Sequence, residues 1–279
     1  MVMKKNKRIA ASTATYVLLG IALVWTIFPI YWMLKSSVTE NSEMYVARPS
    51  VFAKQYTFQN YMDLFQKTEF PRALLNSLMI AALTTTCCLV ISILGSYAMT
   101  RLKYPGRKFF KTSIIFSYLI PTAVLFVPMY VFVSKLGFYD NKWALLIIYP
   151  TIVVPYCCYM LMNYFKAIPY ALEEAALIDG CTRLKSLWYI IMPIALPGIA
   201  VVATFAFTMS WNEYLYAMIM TTSPGQQTAV VAISSFKYAD SAIWGRIMAA
   251  SVLTSLPVAI IYIVAQSQLI AGKSEGSVK

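Results

Sequence analysis

The stretch most suggestive of chemistry in this 279-residue chain runs from Lys166 to Pro197, KAIPYALEEAALIDGCTRLKSLWYIIMPIALP. Pro169 suits the first position of a helix, where its missing N–H would go unpaired anyway. Glu173 and Glu174 sit near that start, where the helix dipole favours anions. Leu172, Ala175, Ala176 and Asp179 follow at helical spacing, and Gly180 can take the left-handed conformation that stops a helix. Arg183 and Lys185 then fall on the polar side of a second short helix leading to Pro193. The spacing predicts a helix–glycine–helix element over 167–193, too short to span a bilayer. Its alanines let a partner surface approach closely, and its carboxylates can ion-pair there. From the residues alone, an interfacial loop helix with no partner fits as well.

Other chemistry is missing. The chain has no histidine, which removes His-based acid–base catalysis, His metal ligands and Ser-His-Asp triads. Cys87, Cys88, Cys157, Cys158 and Cys181 form two adjacent pairs and a single, without the two-residue gap of metal or redox pairs. They read as small packing residues. Gly272-Lys273-Ser274 looks like the end of a phosphate-binding loop, but the required glycine five positions before Gly272 is Ser267. No catalytic residue, metal or cofactor is therefore expected in this chain, and ATP would have to be bound by another subunit. Within the apolar runs the candidate acid is Glu213, in Trp211-Asn212-Glu213-Tyr214. One carboxylate is too few for a convincing ion-coupled carrier.

The elements that carry these residues follow from composition. Apolar residues make up 59% and charged ones 12%, against roughly 45–50% and about 25% in a soluble domain. Mean hydropathy is +0.65. A soluble enzyme and a disordered tail are excluded. So is a nucleic-acid module, because the basic residues behind the +12 net charge sit between apolar runs rather than on one face. Six uncharged stretches each hold the ~20 apolar residues a membrane helix needs. The expected spans are approximately 12–34, 74–99, 112–134, 143–165, 197–220 and 247–270, within one transmembrane domain over 1–279. The ~10-residue alternation of a membrane β-barrel is not visible. The fold class is an all-α integral membrane protein.

Orientation follows from the cationic loops. With the N-terminus inside, the cytoplasm holds Lys4, Lys5, Lys7, Arg8, Arg101, Lys103, Arg107, Lys108, Lys111, Lys166, Arg183, Lys185, Lys273 and Lys279, fourteen of the 23 Lys and Arg. Both termini are then cytoplasmic. The run from Ser12 to Leu34 exceeds the ~7–15-residue core of a signal peptide and lacks a clear cleavage site, so it reads as an uncleaved first helix. Pro29, Pro121, Pro128, Pro150, Pro155 and Pro257 fall within spans. Each removes a backbone donor and bends its helix; together they favour a bundle with a path through it.

Glu174-Ala175-Ala176, three residues, Gly180, nine residues and Ile190-Ile191-Met192-Pro193 resemble the EAA loop of ABC importer permeases, with Met192 where that family has Leu. Asp179 before the glycine also fits. Phe28-Pro29-Ile30-Tyr31-Trp32, Phe58-Gln59-Asn60-Tyr61, Asn76-Ser77 and Ser210-Trp211-Asn212-Glu213 are similar to the carbohydrate-type, maltose-transporter-like members, so the likeness covers nearly the whole chain. The tail Ala271-Gly272-Lys273-Ser274-Glu275-Gly276-Ser277-Val278-Lys279 keeps the family frame but replaces its Leu-Thr; in relatives this tail can reach the ATPase interface.

The resemblance implies a six-helix permease in a bacterial or archaeal plasma membrane. Glu173, Glu174, Ala175, Ala176, Asp179, Gly180 and Pro193 would form the coupling loop that docks on the ATPase. It also implies a second, related permease subunit, two ATPase subunits holding ATP and Mg, an extracellular solute-binding protein, and a carbohydrate substrate, expected to be an oligosaccharide. Asn212, Glu213 and Trp211 are the candidate translocation path, since sugars favour polar groups backed by aromatic faces. Rival readings are import of another solute such as glycerol phosphate, a polyamine or an inorganic anion, a channel or secondary carrier, and a membrane enzyme or scaffold.

Overall fold

The computed structural model describes residues 2–46, 48–236 and 244–274, with side chains described from 12 to 266. Glu275 to Lys279, the side chains of Lys4, Lys5, Lys7, Arg8 and Lys273, and residues 237–243 lie outside the described residues. Among the described residues the regular structure is helical, apart from an isolated bridge between Thr39 and Tyr56.

The chain divides into two compact units, Met1–Thr68 with Ser235–Ser255, and Glu69–Ser234 with Leu256–Lys279. The first begins with α1 (Val2–Ser37), whose membrane-length part, Ser12–Ser37, buries none of its most apolar window. A short α2 (Asn41–Met44) follows, then the amphipathic α3 (Gln59–Lys67). Asn60 of α3 is buried, and its amide donates to the carbonyls of Ser37 (3.1 Å) and Thr39 (2.9 Å). These are carbonyls at and just beyond the end of α1, which would otherwise lack partners. A side chain at Gly245 would place its Cβ 2.5 Å from that same amide, so only glycine fits there. Asp63 accepts from Lys67 at 2.8 Å and pairs with Arg246 at 3.4 Å. Chiefly through Lys67, then Gln59, its carboxyl is held below the ordinary aspartate value.

The second unit is built on α4 (Phe70–Arg101) and on α7 (Ala144–Ala167) and α10 (Met192–Asn212), which pack against it. Small residues bring the backbones together, as in membrane helix pairs generally: Ser96 donates to the Cys158 carbonyl at 3.1 Å, and Gly95 faces the Cys158 thiol. All five thiols are free; Cys88, Cys157 and Cys158 are buried and serve as packing groups, whereas Cys87 is exposed. Gly198 of α10 lies against the Tyr164 ring so closely that an added Cβ would fall 2.5 Å from it.

Between α4 and α7 the structure departs from a single straight span over 112–134. Instead α5 (Arg107–Leu119) and the segment Thr122–Lys135, which ends in α6 (Phe126–Lys135), meet at 92°. The cause is local. Pro121 has no N–H to continue the ladder, and the residue before a proline is driven out of the helical region; Ile120 is extended at ψ 123°.

The fifth apolar run also differs from its expected bounds of 197–220. The separate α8 (Tyr170–Ile178) precedes it, and from α9 (Arg183–Ser186) a helical path runs unbroken through Leu187–Ile191 into α10. Leu187–Ile191 is a π-helical turn. It coincides with the carbonyl that the Pro193 ring would strike in an ideal helix, and widening the turn relieves that clash. The path stops at Asn212, and α11 (Leu215–Met220) starts again beyond it. Then come α12 (Ala229–Ser235) and α13 (Trp244–Ser274), which holds the last span. Among the described residues five helices are thus long and apolar enough to cross a membrane, and up to six if the bent pair is one span.

Candidate functional site

The 167–193 element is helix–glycine–helix as the spacing predicts, but Pro169 stands at the N-cap, one residue before the first helical position expected for it. Gly180 sits at φ +86° with nothing near its missing side chain, so its glycine identity answers a backbone need and not a packing one. Thr182 caps α9, its hydroxyl accepting from the Lys185 N–H at 3.3 Å.

The two adjacent glutamates part company. Glu174 is exposed, together with Ala175, Asp179 and Gly180, and Ile178 is 86% exposed. Glu173 turns inward and is 4% exposed. The Tyr97 hydroxyl of α4 donates to Glu173 Oε1 at 2.6 Å and lies 3.2 Å from the Arg183 carbonyl. The Arg183 guanidinium is 3.7 Å from Glu173 Oε1, and Arg101 Nε is 3.9 Å from Oε2. Glu173 therefore ties α8 to α4 and α9 within the chain. Ala176 is buried beside it, and Pro193 lies at the base of α10.

Arg101 is the hub of this corner. Its side chain is fully buried. Nη2 donates to the Phe165 carbonyl and, at 2.6 Å, to that of Ile168, a cation on the carbonyl end of α7 where the helix dipole favours it. The guanidinium carbon lies 4.1 Å from the Tyr170 ring centroid, and the Tyr170 hydroxyl donates to the Thr100 carbonyl at 2.7 Å. One arginine thus joins the ends of α4 and α7 to the start of α8. Arg107 likewise donates to the carbonyls of Met99, Thr100 and Leu102, closing the end of α4.

Of the three candidate path residues, two share a recess. Asn212 and Glu213 line an opening of about 240 Å³ with Thr122, Tyr149, Met209 and Ser210. Asn212 is exposed. The Glu213 carboxylate accepts the backbone N–H groups of Tyr216 (3.0 Å) and Ala217 (3.1 Å), capping α11 as an N-terminal acid does. Trp211 does not line the recess: it is 2% exposed and stacks on Phe207 at 5.5 Å. Among the described residues no cluster of metal-ligating side chains occurs.

Apolar helices of membrane length, one of them led into by a short two-helix element with an exposed face, define a polytopic membrane protein. The chain belongs to the binding-protein-dependent transport system inner membrane component family, whose pattern its residues 89–271 match. It is 34% identical over 279 residues to the inner membrane ABC transporter permease protein YcjP of Escherichia coli K12, covering 99% of this chain and 100% of that one. It is 32% identical over 264 residues, 95% of this chain and 93% of the relative, to the sulfoquinovosyl glycerol transport system permease protein SmoH of Agrobacterium fabrum. Its fold matches a chain in the crystal structure of a bacterial ABC transporter involved in import of the acidic polysaccharide alginate, with a TM-score of 0.81 at 22% identity, covering 92% and 95%. It is thus the membrane permease subunit of an ABC importer and not an enzyme.

Proposed function

We propose that this permease carries a carbohydrate across a bacterial or archaeal plasma membrane, with both termini cytoplasmic. A second permease would complete the membrane path, an extracellular binding protein would deliver the sugar, and two ATPase subunits would bind ATP and Mg. Relatives named for a sugar glycoside and an acidic polysaccharide support the substrate class. The cationic turn Arg101 to Lys111 supports the orientation.

The observation that carries the mechanism is the split between Glu173 and Glu174. One glutamate fastens α8 to the ends of α4 and α9, and its neighbour is left at the exposed surface with Asp179 and Ile178. Such an element holds fast to the bundle on one side and presents a docking face on the other. ATPase closure against that face would move α8, and with it the helical path from Arg183 to Asn212. ATP and the loaded binding protein must favour the same membrane state for this to drive uptake. Asn212 and the recess around it would meet the sugar.

The test is a photo-crosslinking residue at position 178 in the assembled transporter. Adducts with the ATPase that change on ATP binding are expected. Absence of any ATPase adduct at 172, 174 and 178 alike overturns the coupling assignment.

A further inference from the structure

Near the end of α1 the first unit holds a recess of about 280 Å³ that plays no part in the coupling element or the path. Trp32, Lys35, Met44, Trp244 and Met248 line it. Lys35 is 6% exposed, and its ammonium sits 4.9 Å from the Trp32 ring centroid. Among the described residues it has no carboxylate partner: Glu43 is occupied by the N–H groups of Lys54 and Gln55, and Asp63 by Lys67 and Arg246.

A lysine at the end of a membrane helix ordinarily reaches into water and keeps its charge hydrated. This one is folded into a cavity of indole and thioether groups. A single cation–π contact leaves most of the ammonium's charge unanswered, so the site as built lacks a counter-ion. From this geometry we infer that the recess holds the phosphate group of an anionic membrane lipid. Lys35 supplies the charge, and Trp32 and Trp244 pack against the glycerol and upper acyl chain, where tryptophans settle at membrane boundaries. Position argues for a lipid over a dissolved anion. Ser12–Ser37 is a membrane-length helix, so Lys35 lies at the hydrocarbon boundary, and the neighbouring surface of that helix is uncovered within the chain.

The test is native mass spectrometry of the full chain purified in detergent and titrated with phosphatidylglycerol or phosphatidylcholine. The wild type should retain one phosphatidylglycerol in preference to phosphatidylcholine. Lys35→Gln should weaken that preference by roughly tenfold, the scale of one hydrogen bond to a charged group. Lys35→Arg should keep it. Equal retention of the two lipids by the wild type overturns the inference without recourse to any variant. Displacement of the bound lipid by millimolar inorganic phosphate would show a site for the free anion and overturn the lipid assignment. Unchanged preference in a folded Lys35→Gln protein would move the bound lipid elsewhere.

Discussion

Glu173 and Glu174 are identical in chemistry and adjacent in sequence, yet their environments demand opposite outcomes on substitution. Glu174→Lys changes an exposed residue, so stability should stay within about 0.5 kcal/mol while ATP-dependent uptake falls. Arg101→Ala would strand the Phe165 and Ile168 carbonyls and leave Glu173 buried beside an empty corner. Removing one partner of a buried pair costs about 3–5 kcal/mol, and thermal unfolding in detergent would measure it. Gly180→Val forces a β-branched residue into a left-handed conformation, a cost of about 1–3 kcal/mol, and should lower uptake by disturbing the turn after α8. Asp63 gives a pH signature. Its pKa is lowered in the fold, so its contribution is present above the ordinary aspartate value of about 4 and fades as pH falls through the lower folded value. Acid unfolding of Asp63→Asn should lose that component. The sequence makes the exposed set Glu174, Asp179 and Gly180 legible, because helix starts and left-handed stops are local. It could not reveal the tether, since Tyr97 and Glu173 are 76 residues apart and nothing near either one records the other.

At the scale of elements, local rules succeed where a break has a local cause. Pro121 is a visible breaker, although the 92° angle depends on what α5 and α6 pack against. The end of the fifth apolar run at Asn212 is harder to read. Leu215 to Met220 are as apolar as the residues before them, so hydropathy runs straight through. The stop rests instead on the Glu213 carboxylate turning back onto two backbone N–H groups. Glu213→Gln should therefore cost α11 about 1 kcal/mol of capping, read as faster amide exchange at Tyr216 and Ala217. An altered solute preference with unchanged exchange would instead assign Glu213 to ligand contact. Close packing of α10 on α7 sets a further limit. Gly198→Ala places a methyl against the Tyr164 ring and should destabilise by about 1–3 kcal/mol.

On the scale of the whole molecule, the chain is unfinished by itself. Trp25 is 82% exposed and Tyr16 73%, on the helix Ser12–Ser37, whose most apolar window is uncovered within the chain. A photo-crosslinker at position 25 should capture the second permease in the assembled transporter; lipid adducts alone would remove α1 from that interface. Spans and class are legible from hydropathy because lipid imposes one requirement everywhere. The internal corner around Arg101 is not, because it answers to this particular packing.

The uninterrupted path from Arg183 to Asn212 has a consequence of scale. At 1.5 Å per residue it is about 45 Å long, so a tilt of about 5° sweeps its far tip through about 4 Å. Asn212 sits at that tip, on the rim of the recess. A swivel of that size about Arg183 would shift the rim of the recess by about the width of one methylene-sized group or more, which makes the length of this path a lever.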